Sequence, residues 1–173
     1  LRATVQLGTL ASWPFSLRQR LLSVTLAPLL GYVVLPLSDV VANPQAIPPS
    51  LQRKVFANLI SDVGHKVLVQ MKDWVANDAF RSFDRSRDFR AGIRNLALPL
   101  LVMGGSADKL APPPCLQAQA KLANSTDKTL MIFGTENGDR MDYGHGDLLY
   151  GAEAPREVYP RIRTWLEMHA TKL

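Results

Sequence analysis

Two short apolar runs with a proline-opened helical stretch between them constrain this chain more than any other feature. The first covers residues 97–103 (ALPLLVM) and is nearly continuous, as expected of a parallel strand buried on both faces. Pro99 stands near its beginning, where a strand tolerates the missing N–H. A turn of small residues follows, GGSAD (104–108). Pro112 to Pro114 then suit the first turn of a helix that Leu116, Ala120, Leu122 and Ala123 continue. After NSTDK the second apolar run, TLMIF (129–133), returns to strand. Strand–helix–strand at this length is a βαβ unit, whose strands are parallel and whose crossover is expected to be right-handed.

The rest of the chain hangs on that unit. Residues 3–10 (ATVQLGTL) read as a short strand that ends in a Gly-Thr pair. From Phe15 to about Leu96 the pattern is helical, with no strand signal and no repeat. Ser50, behind the breaker cluster NPQAIPP (43–49), is the expected N-cap of a helix carrying Leu51, Val55, Phe56, Leu59 and Ile60. Gly64 interrupts, and Val67, Met71, Trp74 and Val75 form a second amphipathic helix. A short third one carries Phe89, Ile93 and Leu96. The last helix is expected over 154–169, with Val158, Ile162, Trp165 and Leu166 on one side and Pro160 inside it. That proline predicts a kink or a later start. The expected architecture is α/β: parallel strands with flanking helices and a large helical insertion after the first strand. Three strands would leave one sheet edge open and apolar, so a further piece upstream is expected.

Composition excludes some classes. With 47% apolar and 20% charged residues, the 173-residue chain has the make-up of a globular domain. Its net charge of +5 is partly concentrated in RSFDRSRDFR (81–90), where aspartates alternate with arginines. A mixed-sign run is a solvated face or loop, and no nucleic-acid partner is expected. The single cysteine, Cys115, has no disulfide partner in the chain and reads as a half-buried thiol. No metal-ligand cluster or signal peptide is visible. Residues 21–38 carry no charge, but Pro28, Gly31 and Pro36 cut them into pieces, which favours buried or cap helices over a membrane span.

In doubly wound sheets, functional groups gather outside the carboxyl ends of the strands. Asp108 follows the first apolar run by a short turn, and His145 follows the second by a glycine-rich loop. Either residue alone reads as a turn or loop residue. Together, each after its own parallel strand, they read as an acid and a base at one rim. An aspartate facing a histidine fixes the imidazole's tautomer and stabilises its cation.

Over essentially its whole length the chain resembles the C-terminal half of an α/β-hydrolase. GGSADKLAPP resembles that family's acid turn. DYGHGDLLYGAEAPREVYPRIRTWL resembles the histidine loop and last helix of its lipase-type members. The resemblance implies that residues 1–14 and 93–173 form part of the hydrolase core and 15–92 its helical cap. It implies His145 as catalytic base, with Asp147, Gly151, Ala154 and Pro155 as its surrounding signature, and Asp108 as triad acid. It further implies a small hydrophobic ester as substrate, no cofactor and no metal. The uncharged stretch 21–38 adds the expectation of a transient lipid or membrane-surface contact through the cap.

One family feature is missing. The nucleophile elbow, G-x-S-x-G, is nowhere in the sequence, and the oxyanion donors lie beside or before that elbow. GGSAD has Asp108 where the last glycine belongs, so Ser106 reads as a turn residue. The nucleophile is therefore expected upstream, and the chain is expected to be inactive alone. Two alternatives remain: an aspartate nucleophile of the dehalogenase or epoxide-hydrolase type, and a non-catalytic α/β binding module. A membrane-associated protein built on 21–38 is a third reading. Asp39 is a weaker acid candidate, and His65 and His169 read as solvent or structural residues. Trp13, Phe15, Trp74 and Phe80 read equally as an acyl pocket or as cap core.

Overall fold

The computed structural model describes residues 24–29, 43, 45–59 and 62–170. The expected strand at 3–10, Asp39, Trp13, Phe15 and most of the uncharged stretch 21–38 lie outside the described residues. Helices α1 (Pro49–Leu59), α2 (His65–Asn77) and α3 (Phe89–Arg94) come first, after a 3₁₀ turn at Ala27–Leu29. Strand β1 (Leu100–Gly105), helix α4 (Pro113–Leu122) and strand β2 (Lys128–Phe133) follow. A 3₁₀ turn (Thr135–Asn137), the short α5 (Asp147–Tyr150) and α6 (Ala154–His169) complete the order. Among the described residues the result is a mixed α/β fold with a two-stranded parallel sheet, β1 beside β2.

The βαβ unit forms as its pattern predicts, with its first strand shifted. Pairing starts at Leu100 opposite Lys128 and runs to Gly105 opposite Phe133. Leu100 donates its N–H to Asp127 O, whereas Pro99 has none to give, so the strand starts after the proline. Both glycines of GGSAD are thus the buried end of β1 rather than part of the turn. Leu100 to Met103 are only half-buried, short of the burial expected on both faces. Helix α4 packs on both strands, its Leu116 lying where a Cβ on Gly104 would stand.

The core lies at the carboxyl end of β2. Phe133, Tyr143, Leu148, Ala154 and Val158 are buried together, with Met103, Met131, Met141 and Ile162 against them. Phe133 and Tyr143 meet edge to face at 5.9 Å, and the Arg161 guanidinium covers the Phe133 ring at 5.0 Å. Helix α6 starts at Ala154 despite Pro160, so the later start does not occur. Its Trp165 Nε1 donates to Thr129 Oγ1 of β2 (3.0 Å). His169 stacks on Trp165 at 4.1 Å and reaches Asp127 with Nε2, a structural role.

In the helical block, α1 begins at Pro49, which puts Ser50 inside the first turn rather than at the cap. Proline suits that position, where its missing N–H would have no helical partner. Helix α3 ends at Arg94 and leaves Leu96 beyond it. Trp74, Phe80 and Phe89 pack edge to face at 4.8–6.5 Å. Between α2 and α3 the arginine-rich run turns back on itself through an antiparallel bridge, Arg81 to Asp88, which no sequence signal announced. Cys115, on the first turn of α4, is exposed rather than half-buried. Among the described residues no helix is long and apolar enough to cross a membrane.

Candidate acid–base site

The site is built on the two strand ends. β1 stops at Gly105 and the chain turns through Ser106 and Ala107 to Asp108. Asp108 Oδ1 accepts the N–H groups of Leu110 and Ala111, both at 2.8 Å, which turns the chain toward α4. That is the ordinary job of an aspartate after a strand. The other oxygen does something else: Asp108 Oδ2 lies 2.9 Å from His145 Nδ1. The Asp108 side chain is 2% exposed and that of His145 50% exposed. A buried carboxylate thus holds a half-open imidazole.

The histidine arrives on the loop after β2, which is held at several points. Gly134 donates its N–H to Asp139 Oδ2 (2.7 Å), and the other oxygen of Asp139 takes Arg161 (2.6 Å). Asp142 Oδ1 accepts Ser106 Oγ (2.9 Å), Thr135 N (2.9 Å) and Thr135 Oγ1 (3.0 Å). These donors, led by the Thr135 amide, hold the Asp142 carboxyl below the ordinary aspartate range. Ser106 N bonds Phe133 O (2.8 Å) and Ala107 N bonds Tyr143 O (3.0 Å), stitching the acid turn to the histidine loop. Gly105 permits the second stitch, because a Cβ there would overlap the Tyr143 carbonyl. Tyr143 is buried and donates to Glu157 Oε2 (2.6 Å). Burial, then the Glu157 carboxylate, raise its phenol far above the usual range.

Beyond the histidine, Asp147 is 0% exposed. Its Oδ2 accepts Gly144 N (2.6 Å) and Asn43 N (2.7 Å). Its Oδ1 is buried and has no hydrogen-bond partner among the described residues. Burial pushes this carboxyl up, against the two backbone donors that favour its ionised form.

The structure brings Asp108 and His145 together and leaves the other singled-out residues elsewhere. Ser106 faces Asp142, and His65 begins α2 in an exposed position. Trp74 and Phe80 belong to the aromatic cluster of the helical block. Asp142 and Asn43 were missed. Asn43 opens the breaker cluster 43–49 and Asp142 the histidine-loop run, but neither pattern points to their partners at Ser106, Thr135 and Asp147, which are distant in sequence or appear only once the loops are packed. Among the described residues no three His, Cys, Asp or Glu side chains gather as a metal site.

Chemically, a carboxylate accepts hydrogen bonds and cannot donate them, so Nδ1 carries the proton in the neutral imidazole. Nε2 is then the basic lone pair, and it makes no hydrogen bond among the described residues. Such a pair can take a proton from a nucleophile and return it to a leaving group. No family model, curated protein or solved structure matches the chain.

Proposed function

We propose that this chain carries the acid and the base of a serine hydrolase of the α/β-hydrolase type, acting on carboxylic esters of hydrophobic substrates. The observation that carries the reading is the 2.9 Å contact between buried Asp108 and half-exposed His145, each on the loop that follows the carboxyl end of its own parallel strand. A serine from a segment outside these 173 residues attacks the ester carbonyl while its proton passes to His145 Nε2. Collapse of the tetrahedral intermediate breaks the carbon–alkoxide bond, and Nε2 returns the proton to the leaving alcohol. Water, deprotonated by the same nitrogen, then attacks the acyl carbonyl; the carbon–serine oxygen bond breaks, Nε2 returns the proton to the serine and the acid is released. Asp108 holds the tautomer and faces the imidazolium that forms in each step. The ester and the hydrophobic substrate rest on the resemblance of the acid turn and histidine loop to those of lipase-type members.

The test is labelling by a serine-directed fluorophosphonate in the full-length protein that contains this chain. His145→Ala should reduce the labelling rate by roughly a thousandfold. Equal labelling of both proteins would end the assigned role of His145. An aspartate nucleophile would give no labelling in either, with a covalent ester intermediate trapped on the carboxylate instead.

A further inference from the structure

The geometry points to Asp147 as a positioning residue for His145, effective only while the segment that leads into α1 stays docked on the histidine loop. This rests on the proposed role of His145 as base. Three contacts carry it. Asp147 Oδ2 binds the N–H of Gly144, the residue directly before the histidine (2.6 Å). The same oxygen binds the N–H of Asn43, 104 residues earlier (2.7 Å). Asn43 also donates its side-chain amide to Asp142 O (2.7 Å), on the other flank of the histidine.

The segment is seated beyond these bonds. Ala46 and Ile47 are 1% and 3% exposed, and Ala46 O accepts Ala152 N (3.1 Å), past the end of α5. The loop that presents the imidazole is therefore gripped before, behind and beyond His145 by one stretch of the helical block. That stretch passes directly into α1 through Pro48 and Pro49. A carboxylate sealed from solvent, with one oxygen shared between a local and a distant backbone amide, is a costly element to keep in a loop for shape alone. It makes the position of the base depend on what the helical block does.

The experiment uses the full-length protein with Asp147→Ala, Asp147→Asn and Asn43→Ala. One readout is the downfield Nδ1–H proton resonance of His145, assigned by its loss in His145→Ala. The other is kcat and KM on a short-chain aryl ester. Asp147→Ala should broaden or remove the resonance and lower kcat about 100-fold with KM little changed, the scale of a misplaced catalytic group. Asp147→Asn keeps an oxygen for both amides and should recover most of that loss. Asn43→Ala, which removes the Asp142 contact and the local bond from Gln45 N but keeps the main-chain N–H to Asp147, should lower kcat about three- to tenfold. It also carries the test if Asp147→Ala does not fold. An unchanged resonance and kcat in Asn43→Ala together with a folded Asp147→Ala, or in Asn43→Ala alone if the other does not fold, overturn the inference. Those results leave the role of His145 intact, whereas equal labelling of His145→Ala removes that role and leaves the resonance shifts standing.

Discussion

The loop between α2 and α3 and the loops around His145 are both organised by aspartates, and the two sets of aspartates work differently. In the first region Asp73 takes Arg81 through two bonds of 2.9 Å and Arg85 at 3.2 Å. Asp84 takes Ser82 and Ser86, and Asp88 caps α3 through the N–H groups of Arg90 and Ala91. Arg85, at φ 62°, stands in the left-handed region that the tight return requires. Most of these groups face water. Around the histidine, Asp108, Asp139 and Asp147 are 5%, 7% and 0% exposed, and each accepts at least one backbone N–H. A long arginine side chain follows its partner and is screened by solvent, so such pairs shape a surface without fixing a position. A buried carboxylate held by main-chain donors has one place to be. Only the second kind can hold an imidazole to a direction.

Asp108→Asn should break the contrast most severely. Two N–H groups at the oxygen near Leu110 and Ala111 require the carbonyl there. The amide NH₂ must then face His145 Nδ1, which forces the proton onto Nε2 and removes the base. A loss of about 10³–10⁴-fold in kcat is expected, with an imidazole ¹⁵N spectrum of the Nε2–H tautomer. Retained activity would show that the anchored carboxylate does not set the tautomer. Gly105→Ala should come next. Its Cβ meets main chain at Tyr143, which cannot swing aside, and the expected cost is about 3 kcal/mol in denaturant unfolding. A variant as stable as the parent would mean that the two loops are not in contact.

A smaller effect separates the carboxylates by pH. Asp142 lies below the ordinary value of 3.8, so its contribution to stability is present above 3.8 and is lost as pH falls through its lower folded value. Asp147 lies above 3.8, so its contribution is full below 3.8 and is lost as pH rises through its raised folded value. Unfolding midpoints measured from pH 3 to 7 should therefore differ from those of Asp142→Asn and Asp147→Asn with opposite slopes. Slopes of one sign would overturn the assignment of a donor-held carboxylate at Asp142 and a sealed one at Asp147. The smallest effect belongs to the surface network. Arg81, which holds the Asp73 carboxyl low, is itself only partly buried, and Asp73→Ala should lower the unfolding midpoint slightly and leave the His145 resonance unchanged.

How much of this could be read from the residues differs by element. The βαβ unit was legible because a continuous apolar run, a proline-opened helix and a second run leave little choice of local structure. The start of β1 was misplaced because Ala97 and Leu98 look like strand, yet Leu98 is 72% exposed and the pairing begins only after Pro99. The meeting of Asp108 and His145 was legible through their placement after successive strands. Their supports were not. Asn43, Ser106 and Asp142 act through bonds 36 to 104 residues apart, and no periodicity or spacing encodes a partner at that distance. The arginine run was read as a solvated face, which its exposure matches, but its fold into a bridged return depends on Asp73, outside the run.

The reach of the Asn43–Asp147 contact also orders the assembly of the site in time. Asp108 and His145 are 37 residues apart, whereas Asn43 and Asp147 are separated by 104. Closing the longer loop costs about 0.9 kcal/mol more chain entropy, a factor of roughly five in the probability of encounter. Asp108 and His145 belong to a compact segment whose contacts are comparatively local, and the clasp is the non-local contact that must wait for the helical block. A nascent or partly unfolded chain thus brings Asp108 and His145 together more readily than it locks them.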